Sequence, residues 1–430
     1  MKQIVKSAGC AAVGLLSLAS ASAQTYGLAP NLTPQELSKT WSVSAALRGF
    51  YDDNYNTSPT KQDSFGLEFA PTISANFPLE QTFIGFSVIY SLRYYENRPE
   101  GEFDQSVQIN GVLAHSFSER IKLDLNDNFA LSQEPEILSM GPLSTPFRTE
   151  GSNIRNRASA SLTTGLTPTF SAVWGYANTF YDYEQEGATG SRSALLDRME
   201  HLFSINGRWQ ISPATIGIVG YQYGIVDYTS DDLLVDPTTL PPGASQNALA
   251  ESRNSTSHYG FVGVDQSFTA QLVASLRGGI QYAVYPNAVL STESQLFPYG
   301  DASLSWTYAP GSYLNGGLRH QLSSTDVAYN IGGVTPTLDS SATVVYAAIN
   351  HQFTAKLTAS LLGQVQFSTF NQGNADALSE TLFGIGANVA YRINQFLSAE
   401  AGYSFDTLET DLPGRNFDRN RVYLGLRGNY

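Results

Sequence analysis

The chain contains 430 residues with a formal net charge of −14, only 14% charged residues, 12% aromatic residues and one cysteine, Cys10. The acidic balance excludes binding driven by neutralisation of nucleic-acid phosphates, and a single cysteine excludes a disulfide framework or a thiolate metal site. No two histidines have metal-ligand spacing and no G-x-S-x-G elbow occurs, so we predict no metal, no cofactor and no enzymatic activity.

The first residues have the layout of a secretory signal peptide. Lys2 and Lys6 form a short positive region, residues 8–19 form an apolar stretch, and residues 21–23 (ASA) form a small-residue cleavage site. The rest of the chain has a uniform residue composition and contains no segment that resembles a linker between domains. The predicted organisation is a signal peptide (1–23), a short periplasmic N-terminal segment (24–40) and a single domain (41–430).

Apolar and polar residues alternate along most of this domain. In residues 64–77, for example, Phe65, Leu67 and Phe69 fall on one face, while Gly66 and Glu68 fall on the other. Such segments are longer than the five or six residues usual in soluble strands and match the roughly 9–11 residues of a transmembrane strand. No apolar run after residue 23 reaches the about 20 residues of a transmembrane helix. The pattern therefore predicts a closed barrel, the other structure that satisfies the backbone in lipid.

The connections alternate between short and long, with eight short ones and nine long ones. This predicts an all-β, antiparallel, up-and-down transmembrane barrel of about eighteen strands, with sixteen as the alternative, short periplasmic turns and long extracellular loops. The predicted strands are 41–51, 64–77, 82–94, 104–116, 121–131, 154–164, 169–182, 198–210, 215–228, 256–266, 271–285, 297–308, 312–323, 340–351, 356–370, 380–392, 396–407 and 420–430.

Aromatic residues cluster at the ends of the predicted strands. Amphipathic rings favour the headgroup level of a bilayer, so we predict that these residues form two girdles around the barrel. The predicted girdle consists of Trp41, Tyr51, Tyr94, Trp174, Tyr181, Trp209, Tyr285, Phe297, Trp306 and Tyr430.

Charged residues fall mainly on the polar face of the strands, which we expect to line the lumen because charge is costly on the lipid face. The candidate pore-lining residues are Arg48, Glu68, Arg93, Lys122, Asp124, Arg155, Arg157, Arg208, Arg277, Arg319, Glu400, Asp406, Arg421 and Arg427. Their surplus is basic. One interpretation is a water-filled lumen that favours anions; the other is that acids and bases pair across the lumen and fill it.

Two segments carry a resemblance to known barrels. The last segment alternates through Val422, Leu424 and Leu426 and stops at the aromatic Tyr430, which resembles the C-terminal signature that the barrel-assembly machinery recognises. Residues 49–56 (GFYDDNYN), at the end of the first predicted strand, resemble the family named "Putative beta-barrel porin 2". The resemblance implies a porin-like role in the outer membrane and an assembly partner for the last strand; it assigns no functional residue.

The hypothesis favoured at this point is passive diffusion of small hydrophilic solutes through the barrel. The alternatives are an outer-membrane component of an exopolysaccharide export or assembly system, a structural or adhesive surface protein, and, as the least favoured, an enzyme. Outer-membrane lipid is the expected surrounding. The sequence leaves open whether the protein forms a homo-oligomer, since no strand pattern indicates a wall buried between copies. It also leaves open whether residues 229–255 fold into the lumen.

Overall fold

The computed structural model describes residues 24–25, 40–99, 101–133, 139–140, 151–289, 293–329 and 333–430. Residues 41–430 form eighteen long antiparallel strands. They are β1 (Trp41–Asp52), β2 (Ser64–Pro78), β3 (Thr82–Tyr95), β4 (Phe103–Ser116), β5 (Ile121–Ser132), β6 (Asn153–Gly165), β7 (Phe170–Tyr183), β8 (Arg198–Ser212), β9 (Thr215–Tyr228), β10 (Ser255–Ser267), β11 (Leu272–Val284), β12 (Ser294–Ala309), β13 (Ser312–Ser323), β14 (Asp339–Gln352), β15 (Leu357–Asn371), β16 (Ser379–Arg392), β17 (Leu397–Thr410) and β18 (Phe417–Asn429).

The sheet closes on itself. Each strand pairs with its neighbours in the chain, and β18 pairs with β1 through partners such as Gly425 and Arg48. The predicted barrel of eighteen strands is therefore confirmed, and the alternative of sixteen is wrong. Every predicted strand has its counterpart, with ends that differ by at most three residues, as at 297 against Ser294. Closure leaves no free edge, which a sheet in lipid requires.

The two faces of the sheet differ sharply. The outer face carries exposed apolar side chains, such as Leu424 at 69% exposure and Val219 at 67%. The inner face carries polar and charged side chains, such as Arg48 and Glu68, both buried. This arrangement follows directly from the alternation along each strand, because successive side chains point to opposite faces.

The short connections share one local device. In several of them a Thr, Ser or Asn side chain accepts a hydrogen bond from the backbone N–H three residues later, as Thr167 does from Phe170 and Asn394 from Leu397, both at 3.0 Å. Thr269 and Thr354 do the same toward Leu272 and Leu357. Such side chains mimic a backbone turn, which explains why the motif recurs at one end of the barrel.

Smaller elements lie in the loops at the other end. Helix α1 (Arg192–Leu196) lies in the β7–β8 loop and is capped by Ser191, whose hydroxyl accepts from the backbone N–H of Ala194 at 3.0 Å. No helix among the described residues is long and apolar enough to span a membrane.

The N-terminal residues are described only in part. Gln24–Thr25 pairs antiparallel with Ser139–Met140, which belongs to the β5–β6 loop. The predicted signal peptide (1–23) and residues 26–39 of the predicted periplasmic segment lie outside the described residues, so both assignments stay predictions.

Candidate functional site

The inner wall of the barrel is the candidate site. Strand pairing places each predicted pore-lining residue on the inner face: Arg48, Glu68, Arg93, Lys122, Asp124, Arg155, Arg157, Arg208, Arg277, Arg319, Glu400, Asp406, Arg421 and Arg427. Most of them belong to three groups of ion pairs.

The first group lies where the barrel closes. Arg48 on β1 donates to Glu68 on β2 at 2.6 Å and to Glu400 on β17 at 2.9 Å. Glu68 also accepts from Arg93 on β3 at 3.1 Å and from Ser91 at 2.7 Å. The carboxylate of Glu68 is fully buried, and burial of a charge is tolerable only with such partners.

A second group lies closer to the loop end of the same wall. Arg421 on β18 pairs with Asp52 on β1 at 2.6 Å, and Arg419 pairs with Asp406 on β17 at 2.9 Å. Asp52 and Arg419 were not among the predicted pore-lining residues. Both fall on the polar face of their strands, so the alternation contained the signal.

The third group is an alternating ladder that runs from β8 to β13, with side chains from five of these six strands. Arg208 on β8 pairs with Asp265 on β10 at 2.8 Å, and Asp265 also pairs with Arg277 on β11 at 3.4 Å. Asp301 on β12 then joins Arg277 at 3.3 Å to Arg319 on β13 at 3.0 Å. Three arginines thus share two aspartates, which leaves the ladder with one excess positive charge. Asp265 and Asp301 were also missed from sequence.

The basic side chains of β6 face this ladder across the lumen. Arg157 donates to Thr179 at 3.3 Å, and its charge interacts with the carboxylate of Glu200 as well as with the guanidinium of Arg319. Six strands lie between β6 and β13, so positive charges from two parts of the wall approach each other. Of the other predicted residues, Arg427 donates to the hydroxyl of Ser44 at 2.9 Å.

The aromatic residues divide between the two faces. Trp41, Tyr51, Tyr94, Trp174, Trp209, Trp306 and Tyr430 lie on the outer face near strand ends, with Trp41 against Tyr430 at 5.6 Å between ring centroids.

Three girdle assignments are wrong. Tyr181 is buried on the inner face, where the guanidinium of Arg198 lies 3.9 Å from its ring centroid. Tyr285 is buried beneath the extracellular loops beside Leu338, and Phe297 packs against the same cluster. Near a strand end, few alternating residues remain to indicate which face a side chain lies on. The aromatic side chains there pack against the loops rather than against lipid.

The β13–β14 loop (324–338) contacts loops from nearly opposite sides of the barrel. Its Asp326 accepts hydrogen bonds of 3.0 and 2.9 Å from Arg415 in the β17–β18 loop. Two residues later, Ala328 packs against Ala194 in the β7–β8 loop. Eight of the eighteen strands separate these two loops by the shorter way round. The segment from 326 to 328 therefore lies across the mouth of the lumen.

The β9–β10 loop (229–254) joins this cover. The amide of Asn247 donates to the carbonyl of Val289 at 2.8 Å, and the hydroxyl of Tyr329 donates to the carbonyl of Asn247 at 2.8 Å. The β9–β10 loop therefore folds inward, a question that the sequence left open. It contacts the loops that follow β11 and β13.

Arg253 connects three of the loops. It is buried, donates to the carbonyl of Leu195 at 3.0 Å and to that of Thr325, and lies over the ring of Tyr228 at 4.6 Å. Burial lowers its pKa, and the positive charge of Arg198 acts in the same direction. Its partners among the described residues are carbonyls and a ring rather than a carboxylate.

Arg415 completes the connections at the mouth. Burial opposes its charge, but Asp326 and Glu380 outweigh burial and raise its pKa. It therefore remains protonated and holds the β13–β14 loop to the β17–β18 loop at every pH near neutrality.

A polar cavity of about 100 Å³ lies beneath these loops. Its lining includes Arg253 from the loops, Glu200 on β8, Tyr259 on β10, Gln281 on β11 and Asp339 on β14. This volume holds a few water molecules, each of which occupies about 30 Å³ in the liquid. Hydrogen-bond donors and acceptors thus meet any solute that passes the cover.

The described residues contain no group of three or more His, Cys, Asp or Glu side chains arranged to hold a metal ion.

Comparison with solved structures finds similar bacterial proteins, among them a porin and an outer membrane protein. A BenF-like porin from Pseudomonas fluorescens Pf-5 is similar over 92% of this chain and 100% of its own, with 10% identity and a TM-score of 0.43. Acinetobacter baumannii OccAB4 shows 11% identity over 93% and 100%, with a TM-score of 0.42. The outer membrane protein OpdK from Pseudomonas aeruginosa shows 9% identity over 91% and 99%, with a TM-score of 0.41.

No curated protein sequence matches the chain. The sequence model of one family, described as "Putative beta-barrel porin 2", matches residues 40–430. This match covers the entire barrel, so the chain belongs to the "Putative beta-barrel porin 2" family and lies in the outer membrane.

Proposed function

We propose that the barrel is a channel for the passive diffusion of small hydrophilic solutes and that it favours anions. The observation that carries the proposal is the inner wall, which is lined by charged and hydrogen-bonding side chains along its length. Barrels of 16–18 strands are wide enough for an aqueous channel. The loops that cross the mouth then restrict passage to small solutes.

The preference for anions rests on the positive charge of the ladder and of the basic side chains near it. The ladder has one excess arginine, and Arg157 faces it from β6. Arg253 adds a buried charge above them without a carboxylate partner among the described residues. Charged rings of one sign determine the selectivity of pores.

Extensive pairing sets a limit on this preference. Asp265 and Asp301 neutralise most of the charge on Arg208, Arg277 and Arg319. The proposal therefore predicts a modest selectivity, expressed as a shift of reversal potential in a salt gradient, rather than exclusion of cations.

The test is single-channel recording of the refolded protein in planar bilayers. Replacing Arg277 and Arg319 together by Glu should shift the reversal potential toward the value of a cation-selective channel. The reason is that this double replacement reverses the sign of the net charge of the ladder. The double variant with Arg277→Gln and Arg319→Gln should shift the reversal potential in the same direction by a smaller amount. It replaces the double Glu variant in the test if the latter does not fold. Arg120→Glu, in an exposed periplasmic turn, is the control and should have a smaller effect.

Unchanged reversal potentials in both double variants would remove the anion preference. Absence of any conductance from correctly folded protein would remove the channel itself, and it would favour the export component or the adhesive surface protein.

We also propose that β18 and Tyr430 are recognised during assembly. Tyr430 is exposed on the outer face, and β18 alternates strictly up to it. Tyr430→Ser should reduce the amount of folded protein in the outer membrane. The same amount of folded protein as in the wild type would contradict this role.

A further inference from the structure

One acidic side chain on the inner wall differs from the others in its contacts. Asp124 on β5 pairs across the sheet with Ala114 on β4 and Ser161 on β6, on the inner face. It makes no hydrogen bond or ion pair with a described residue. Every other acidic side chain on the inner face of the described strands has an ion pair or a hydrogen bond with another side chain, as Glu68 and Asp406 do.

The surroundings of Asp124 leave its carboxylate accessible from the lumen. Ala114 and Ser161 flank it with shorter side chains, and Gly175 on β7 is the next residue in the same row of strand pairs. Asp124 is half-buried, as are both flanking residues, whereas Glu68 is fully buried. A carboxylate without a partner is stable only where water solvates it. Asp124 therefore marks a water-filled part of the lumen.

Asp124 lies close to the periplasmic end of the barrel. Strand β5 begins at Ile121, directly after a short turn, so Asp124 is its fourth residue. Lys122 lies two residues away on the same face, and its positive charge acts on Asp124 without a hydrogen bond or ion pair between the two side chains. A solute that leaves the lumen at this end therefore meets one charge of each sign on β5.

We propose, on the basis of the channel function proposed above, that Asp124 is a specificity-determining residue on the solute path near the periplasmic exit. The ladder carries an excess positive charge and favours anions, whereas Asp124 attracts cations at the exit. A fixed charge on the wall of a narrow aqueous passage concentrates ions of the opposite sign. The selectivity of the channel is then the balance of two opposed sites.

The test is single-channel recording with a cysteine at position 124, since Cys10 in the predicted signal peptide is the only cysteine of the chain. Asp124→Cys removes the negative charge and should raise the ratio of chloride to potassium permeability roughly twofold at about 0.1 M salt, where charges act over about 10 Å. An anionic methanethiosulfonate reagent should return this ratio toward the wild-type value, and a cationic one should raise it further. At about 1 M salt, where charges act over about 3 Å, the differences should shrink.

Asp127→Cys is the matched control. Asp127 lies three residues further along β5 and is exposed on the outer face, where it pairs with Gly111 and Ala158. Its replacement removes the same charge from the same strand, but on the lipid side of the wall. Neither this replacement nor either reagent should change the permeability ratio.

A second variant covers the case in which Asp124→Cys does not fold. Ala114→Cys keeps the native carboxylate and places a thiol beside it, so the two reagents should change the permeability ratio in opposite directions. Equal changes at positions 124 and 127, or a current that responds to neither reagent at positions 124 and 114, would overturn the role of Asp124 and leave the channel in place. Absence of current from correctly folded wild-type protein would overturn both proposals.

Discussion

Arg48 reaches Glu400 on the second strand away because the residue between them is glycine. Gly425 on β18 pairs with Arg48 on one side and with Glu400 on the other. A Cβ at this position would lie 2.5 Å from Cγ of Arg48 and 2.6 Å from the carbonyl oxygen of Leu47. The absence of a side chain thus allows the arginine to lie flat across β18.

Gly425→Ala should therefore destabilise the folded barrel. The added methyl group must displace Arg48 or the backbone, and overpacking of this kind costs about 1–3 kcal/mol. Gly49→Ala is the control, since Gly49 lies on the neighbouring strand with open space around its Cβ position, and it should change stability by less than about 0.5 kcal/mol. Denaturant unfolding in detergent measures both, and equal values for the two variants would contradict the argument.

Asp197 is the residue for which pH dependence is expected. It lies between α1 and β8, is buried, accepts from the backbone N–H of Tyr183 at 2.7 Å and contacts the hydroxyl of Ser193 at 2.5 Å. Burial raises its pKa to about 6, against the effect of these hydrogen bonds. In the unfolded loop its pKa is about 3.9.

A raised pKa means that the folded loop binds a proton more readily than the unfolded loop does. The contribution of Asp197 to loop stability is therefore full below about pH 4 and is lost as the pH rises through about 6. Backbone amides of α1 should exchange hydrogen faster at about pH 7.5 than at about pH 5 after correction for intrinsic rates. Asp197→Asn should remove this difference, and a difference that persists in the variant would assign it to another group.

Single residues also show what the sequence could reveal. Alternation alone placed Arg48, Glu68 and Arg277 on the inner face, because the face of a residue depends only on its position in the strand. It did not pair Arg277 with Asp265 and Asp301, since pairing depends on the register between strands. Tyr181 was misplaced because the approach to a loop adds packing partners that a two-residue period does not contain.

At the scale of elements, strands and loops differ in how much the sequence reveals. Each strand repeats the same local pattern over twelve to sixteen residues, so its ends could be predicted closely. The cover of the mouth depends on contacts such as that between Val327 and Leu412, which are far apart in the chain. No local pattern encodes these contacts, and the inward fold of the loops therefore emerged only from the structure.

Arg253 offers a test of the mouth cover. Arg253→Ala removes the hydrogen bonds to Leu195 and Thr325, so the loops should open more often and single-channel conductance should rise. Lost hydrogen bonds to a charged group cost about 1.5–3 kcal/mol, which is enough to change the equilibrium between closed and open loops by about tenfold or more. Arg120→Ala, in an exposed turn at the other end, should leave conductance unchanged, and an equal rise in both variants would contradict this role.

The whole molecule is asymmetric across the membrane. All four tryptophans lie on the outer face in the half of the barrel that carries the short turns, with exposures from 44% for Trp306 to 63% for Trp209. The loop end instead carries tyrosine and phenylalanine on this face, as in the contact of Tyr51 with Phe65 at 4.9 Å. Indole favours the interface between headgroups and acyl chains, so the tryptophans mark one boundary of the apolar band.

This asymmetry makes the intrinsic tryptophan fluorescence a probe of insertion that needs no mutation. In bilayers, lipids brominated near the headgroup end of the acyl chain should quench this fluorescence more than lipids brominated near the chain terminus, by roughly twofold. Unfolded protein mixed with the same lipids is the control and should show little dependence on bromine depth. Stronger quenching from the chain terminus would place the tryptophans near the bilayer centre and would contradict the assignment of the short turns to its surface.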